Sequence, residues 1–364
     1  MYKEQISDKE GFSLLSIFIL GTSLIIGSGG TAKQDAWLSV LVGAAMTVPF
    51  FWIYAKLQSR FLGRDLYEIL ELGFGKVLGK LIILLYTWYA FHLGALVLRN
   101  FGEFINVVAM PETPLFVPLI SIGILSIMAA RSGVEALARL SAYLIPMVLS
   151  LIVIVQILAL QDIEFSNLKP VLEEGWGRIV KGGFSLFAFP FAETVLFSGV
   201  FSALKTPKSS HKVYFGALIL TSVVLVMVTV RNIGILGTFQ GQPYFPSYSA
   251  VSRISVGEFL QRIEVVVSFV FTLGVFIKCG VCLVVASKGV ARIFNLHDYR
   301  SVVIQLGLLM IYLSYFIYDN IMMMKYWAFE IYQYYAFPFQ VILPVIILIV
   351  AWIRSGLTSR RSPA

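Results

Sequence analysis

Gly182 to Leu204 reads GGFSLFAFPFAETVLFSGVFSAL, a run of membrane-crossing length with Pro190 and Glu193 near its middle. A helix in lipid must satisfy its own backbone hydrogen bonds. A mid-span interruption survives only where protein or a water-filled cavity receives the freed groups. A carboxylate at that depth is costly unless it has a partner or a task. The stretch therefore predicts a discontinuous helix lining a site halfway through a membrane.

The rest of the chain fits that class. Hydrophobic residues are 58% and charged residues 13%, and the mean hydropathy is +0.85. Soluble domains carry roughly a quarter charged residues. The net charge of +8 does not mark a nucleic-acid binder, because the basic residues lie between apolar runs, where they orient a membrane protein. Cys279 and Cys282 sit inside an apolar run, so their CxxC spacing reads as packing and not as a metal or redox motif. The acidic start MYKEQISDKE is unlike a secretory signal, so the first apolar segment is expected to stay as a span.

Ten segments approach the ~20 apolar residues that a crossing needs: 11–31, 36–57, 79–99, 114–130, 140–161, 182–204, 212–238, 259–287, 301–319 and 333–355. The longest connections are 58–78, 162–181 and 239–258, the last suited to short surface or re-entrant helices. Alternating the loops puts 18 Lys and Arg on the side of the termini and 9 on the other. That bias predicts cytoplasmic termini.

Span 1 carries Gly21-Thr22 and then Gly27-Ser28-Gly29-Gly30. Close helix packing accounts for glycine here. Its pairing with the break in span 6, five helices on, points instead to an inverted repeat, since interrupted segments at corresponding places mark that transporter architecture. The expectation is an all-α integral membrane fold of ten helices in a single domain, with helices 1 and 6 broken. Repeat one covers about 11–161 and repeat two about 182–355. Two broken helices offer N–H groups to anions and carbonyls to cations, which suits an amino acid.

Lys278 lies deep in span 8, too far from either end to snorkel. It reads either as a structural ammonium or as a fixed cation in the cavity, and Glu193 is a candidate partner. Glu264 and Arg262 are expected at the membrane interface, and His92 reads either as a proton relay or as a histidine satisfied by one neighbouring hydroxyl or carbonyl. Arg99, Glu103 and Glu112 read as a solvated rim or as a contact surface for a partner, and the Tyr-rich 326–335 as an aromatic belt. No cofactor motif, metal-ligand spacing, ATPase loop or nucleophile–base pair is present, so no enzyme is expected.

Several stretches together resemble the endospore germination permeases, the B subunits of germinant receptors within the amino acid–polyamine–organocation transporter superfamily. They are Ala32-Lys33-Gln34-Asp35-Ala36-Trp37, Leu98-Arg99-Asn100-Phe101-Gly102-Glu103-Phe104-Ile105, Pro111-Glu112-Thr113-Pro114, Asn167 through Gly175, Phe189-Pro190-Phe191-Ala192-Glu193 and Phe276-Ile277-Lys278. The resemblance implies a nutrient sensor in the spore inner membrane, working with A and C subunits. It implies that a small germinant, such as an amino acid, binds at Gly21, Thr22, Phe189, Pro190, Glu193 and Lys278. A secondary amino acid or cation transporter, proton-coupled through Lys278 or Glu193, is the alternative; a scaffold that anchors partners is a third. Ala192 stands where many relatives have glycine, which implies a slightly stiffer break and a smaller pocket.

Overall fold

The computed structural model describes residues 4–26, 30–61, 63–206, 209–237, 243–254 and 262–359. The chain opens with α1 (Asp8–Ile26), α2 (Ala36–Arg60), α3 (Leu66–Val108), α4 (Phe116–Ser132) and α5 (Val134–Ala159). It continues with α6 (Trp176–Leu186), α7 (Ser209–Leu236), the short α8 (Pro246–Val251) and α9 (Glu264–Ile293). Last come α10 (Val303–Phe316), α11 (Ile321–Tyr326), α12 (Tyr332–Phe337) and α13 (Leu343–Ser359). Nine helical stretches among the described residues are long and apolar enough to cross a membrane, with α11 through α13 counted as one. The tenth expected span, α4, is 17 residues long, at the short limit for a crossing.

Local chemistry sets the ends. Ser7 and Glu10 form a reciprocal cap at the start of α1: the Ser7 amide donates to Glu10 Oε2 at 2.7 Å and the Glu10 amide to Ser7 Oγ at 3.3 Å. Asp65 caps α3 by accepting from the Glu68 amide at 2.9 Å. The expected connection 58–78 is largely helical, because α3 begins at Leu66 and bends at Gly75, whose φ of 79° only glycine holds readily. Within 239–258 the expected short helix is α8, while 238–242 and 255–261 lie outside the described residues.

Burial separates an inner from an outer set. In α1, α3, α9 and the α6 stretch, 72–83% of the apolar window is buried; in α2, α5 and the α10 stretch it is 22–33%. The outer helices expose leucine, isoleucine and tryptophan, among them Leu41, Trp52, Ile154, Ile157 and Leu308. An apolar outside is stable only against lipid.

One expectation fails here. The α1 helix is continuous from Asp8 to Ile26, so there is no break at Gly21-Thr22. The other candidate interruption, Gly27 to Gly29, lies outside the described residues. Gly21 instead meets Gly274 of α9 backbone to backbone. A methyl group on Gly21 would lie 2.6 Å from Gly274 Cα, and one on Gly274 would sit closer still. Missing side chains let two inner helices touch, and the helical hydrogen bonds stay intact.

The loop after α1 is clasped to the loop before α6. Gln34 Nε2 donates to Pro170 O at 3.1 Å and to Glu173 Oε2 at 2.8 Å. The Leu172 amide donates to the Asp35 carboxylate at 3.0 Å. Lys33 and Arg178 both pair with Glu174, and the Lys33 hydrogen bond holds the Glu174 carboxyl below its ordinary pKa.

Candidate functional site

The site begins where α6 stops. Pro190 has no N–H to give to the turn before it, and its ring pushes the preceding residue out of the helical region. Phe189 accordingly has φ −136° and ψ 114°, inside a wide turn from Phe187 to Phe191. The chain then tightens into a 3-10 helix, Ala192–Gly199. The break in span 6 is therefore where the proline predicts it.

Other helices, and Thr194 of the stretch itself, cap the carbonyls that this irregular backbone leaves over. Gln340 Nε2 donates to Ala188 O at 2.8 Å, and Thr194 Oγ1 to Phe191 O at 2.6 Å. Tyr214 hydroxyl donates to Thr194 O at 3.2 Å, Gln58 Nε2 to Ser198 O at 2.7 Å and Lys288 Nζ to Gly199 O at 3.0 Å. Non-helical backbone at membrane depth is stable only with such partners.

Glu193 and Lys278 are both fully buried, and they pair directly. Lys278 Nζ also donates to Thr22 Oγ1 at 3.0 Å. It stands 4.8 Å from the Phe18 ring and 4.9 Å from the Phe189 ring, within range of a cation–π attraction. The second carboxylate oxygen, Glu193 Oε1, accepts from the Tyr332 hydroxyl at 2.6 Å. Tyr332 lies 3.1 Å from the Tyr89 hydroxyl, which accepts from Gln340 Nε2 at 2.8 Å. Each hydroxyl has one proton, so the donors run one way: Gln340 to Tyr89, Tyr89 to Tyr332, Tyr332 to Glu193. The carboxylate is the terminal acceptor of the whole network.

The Gly21–Gly274 contact explains why Thr22 reaches Lys278. Gly274 lies four residues before Lys278, on the same face of α9, and Thr22 follows Gly21. Bringing the two backbones together at the glycines aligns hydroxyl and ammonium one turn away. Thr22, Phe189, Glu193 and Lys278 therefore meet directly, while Pro190 shapes the break and Gly21 packs against α9.

Sequence reading missed several members. Tyr332 belongs to the tyrosine run expected as an interfacial belt; Tyr326 and Tyr334 are exposed, but Tyr332 is buried against Glu193. Tyr89, Gln340 and Phe18 carried no signal beyond polar or aromatic residues inside a span. Arg99 and Glu103 are not a solvated rim. They are buried and paired at 2.8 Å, because α3 continues past them. Arg99 Nη1 donates to Ser314 O at 3.3 Å, capping the end of α10. His92 sits among Trp88, Trp327 and Tyr335 with ring centroids 5.1–6.0 Å away, and its Nδ1 has no hydrogen-bond partner among the described residues. The hydroxyl or carbonyl expected beside it is absent from that nitrogen. Glu264 stays near the start of α9 with Arg262 Nε at 3.5 Å, as an interfacial pair would.

Known proteins share this fold. A solved transporter of the nucleobase-cation-symport-1 family, Mhp1, in a closed conformation with bromovinylhydantoin bound, superposes with a TM-score of 0.72 at 13% identity, covering 95% of this chain and 78% of that one. The inward-facing conformation of Mhp1 gives 0.57, covering 95% and 76%. These likenesses show a transporter fold. In sequence, spore germination protein KB of Bacillus subtilis (strain 168) is 30% identical over 358 residues, 96% of this chain and 95% of that relative. A family profile described as spore germination protein, the spore permeases, matches residues 5–322. With that match beside the apolar helices, the chain is an integral membrane protein that belongs to the spore germination permease family.

Proposed function

We propose that this chain is the membrane-embedded sensing subunit of a germinant receptor, and that a small zwitterion such as an amino acid docks at the α6 break. The observation that carries this reading is the buried Lys278–Glu193 pair, which spans from α9 to the broken helix. Parting such a pair without replacing either contact costs about 3–5 kcal/mol. A ligand with an ammonium for Glu193 and a carboxylate for Lys278 satisfies both charges and moves them apart. A sugar or a simple amine leaves one charge unmatched. The ligand's differential affinity for the two arrangements shifts the bundle, and the shift passes to A and C subunits in the spore inner membrane. The closer likeness to a closed transporter conformation fits a resting state in which Lys278 plugs the break. Within this reading the two halves, about 11–161 and 182–355, form a five-plus-five inverted repeat, and both termini are cytoplasmic. The protein performs no covalent chemistry and needs no cofactor.

The transporter fold favours a second reading, a secondary amino acid or cation carrier that uses Lys278 or Glu193 for proton coupling. Full-length protein reconstituted in vesicles separates the two. Sensing predicts saturable amino acid binding with no proton-driven accumulation; accumulation that collapses with the proton gradient assigns the chain to transport. In spores, Glu193→Gln should abolish the nutrient response while the protein is still made. An undiminished response would refute the site.

A further inference from the structure

Another buried charge, Arg231, lies away from the α6 break. Arg231, near the end of α7, is 3% exposed. Its Nε and Nη2 donate to the side-chain oxygen of Asn232 at 3.2 and 2.8 Å, and its Nη1 donates to Gln156 Oε1 at 2.9 Å. These acceptors are neutral amides, and no carboxylate pairs with Arg231 among the described residues. A guanidinium has five N–H donors, so three bonds leave two of them over.

Beside this guanidinium is a cavity of about 30 Å³, lined by Leu24, Ile152, Val155, Val228 and Val267 as well as Ser247 and Arg231. Sites of this size hold a water molecule or a similarly small guest. The Ser247 hydroxyl oxygen accepts from Asn232 Nδ2 at 2.9 Å, which leaves the hydroxyl proton free to turn toward the cavity. The place therefore combines a buried cation, a hydroxyl and a mostly aliphatic wall. Neutral oxygens solvate a guanidinium but do not cancel its charge, and an uncompensated charge at this depth is unfavourable.

We infer that the Arg231 cavity binds a compact monovalent anion, held by the guanidinium and the Ser247 hydroxyl at the junction of α1, α5, α7, α8 and α9. Aliphatic walls favour weakly hydrated ions, so bromide binds at least as well as chloride, while sulfate and gluconate are excluded by charge or size. The site is separate from the α6 break. Val270, which also lines the cavity, precedes Lys278 by a helical rise of about 12 Å. The inference holds whichever reading of the central pair is right. Because five helices meet here, an occupied cavity stabilises their mutual packing.

The test uses the purified full chain in detergent, at fixed sodium and ionic strength, with gluconate replaced stepwise by chloride, bromide, nitrate, formate or sulfate. The thermal midpoint should rise saturably with the compact monovalent anions, by about 5 °C at a hundredfold excess over half-saturation. Sulfate should leave it unchanged. Arg231→Met, which keeps the bulk and removes the charge, should abolish the dependence. A response to halides but not formate assigns an inorganic ion; a formate response beside the halide response extends the site to the head group of a small organic acid. Crystals in bromide provide a readout that needs no variant, with an anomalous peak expected beside the guanidinium. Midpoints that match in every salt, an undiminished response in Arg231→Met, or no bromide peak at saturation would each overturn the proposal.

Discussion

Two helices flank Lys278, and both carry residues that disfavour helix in water, yet among the described residues only one is broken. In α1, Gly21 passes through the helix without interrupting it and packs on Gly274. In the span-6 stretch, Pro190 ends α6 and turns Phe189 out of the helical region. Glycine costs about 1 kcal/mol in a helix, which close packing in lipid more than offsets. Proline removes a donor outright, and no packing returns it. One helix therefore supplies a rigid wall with a hydroxyl, Thr22. The other supplies an irregular wall with a carboxylate, Glu193, and Lys278 joins them.

The largest test of that contrast is the pair itself. Glu193→Leu or Lys278→Met alone leaves an unmatched buried charge and should cost about 3–5 kcal/mol, read from denaturation in detergent. The double variant should recover most of the loss, since two apolar side chains replace two charges. A double variant as unstable as the sum of the singles would break the account. Next comes Tyr332→Phe, which removes one hydrogen bond to a carboxylate and should cost about 1.5–3 kcal/mol, with little change when Glu193 is already leucine. The rigid wall is probed by Gly21→Ala. Its methyl group must push α1 from α9, at about 1–3 kcal/mol. A cysteine cross-link between the two helices on the outer side of the contact should then form more slowly. If Gly21→Ala packs without loss, the glycine contact is not what sets the spacing.

The smallest effect is at the surface clasp. Hydrogen bonding to Lys33 lowers the Glu174 pKa in the folded chain. Its contribution is therefore complete above the ordinary carboxylate range and is lost as pH falls through the lowered value. Proteolytic protection of the 169–175 loop should hold near neutrality and weaken in acid. Glu174→Gln should remove that acid dependence and leave the central pair untouched.

Much of this was readable in the chain. A span is a long local signal. Pro190 breaks its helix through its own missing N–H, and a charge such as Glu193 or Lys278 stands out in an apolar run. Other features depend on what lies opposite. Gly21 reads the same whether it opens a helix or packs it, and only Gly274 decides. Tyr332 looks like its neighbours Tyr326 and Tyr334 until the turn of its helix aims it inward. Arg99 and Glu103 read as rim because α3 runs further than its apolar core, to Val108.

The central claim is that the Lys278–Glu193 pair at the α6 break receives a zwitterion. The most direct measurement is ligand-dependent thermal stabilisation of the purified full chain across amino acids, sugars and nucleosides, wild type beside the Glu193→Leu/Lys278→Met double variant. The account predicts that one or more amino acids stabilise the wild type and leave the double variant unmoved. Equal stabilisation of both proteins by the same amino acid would contradict it.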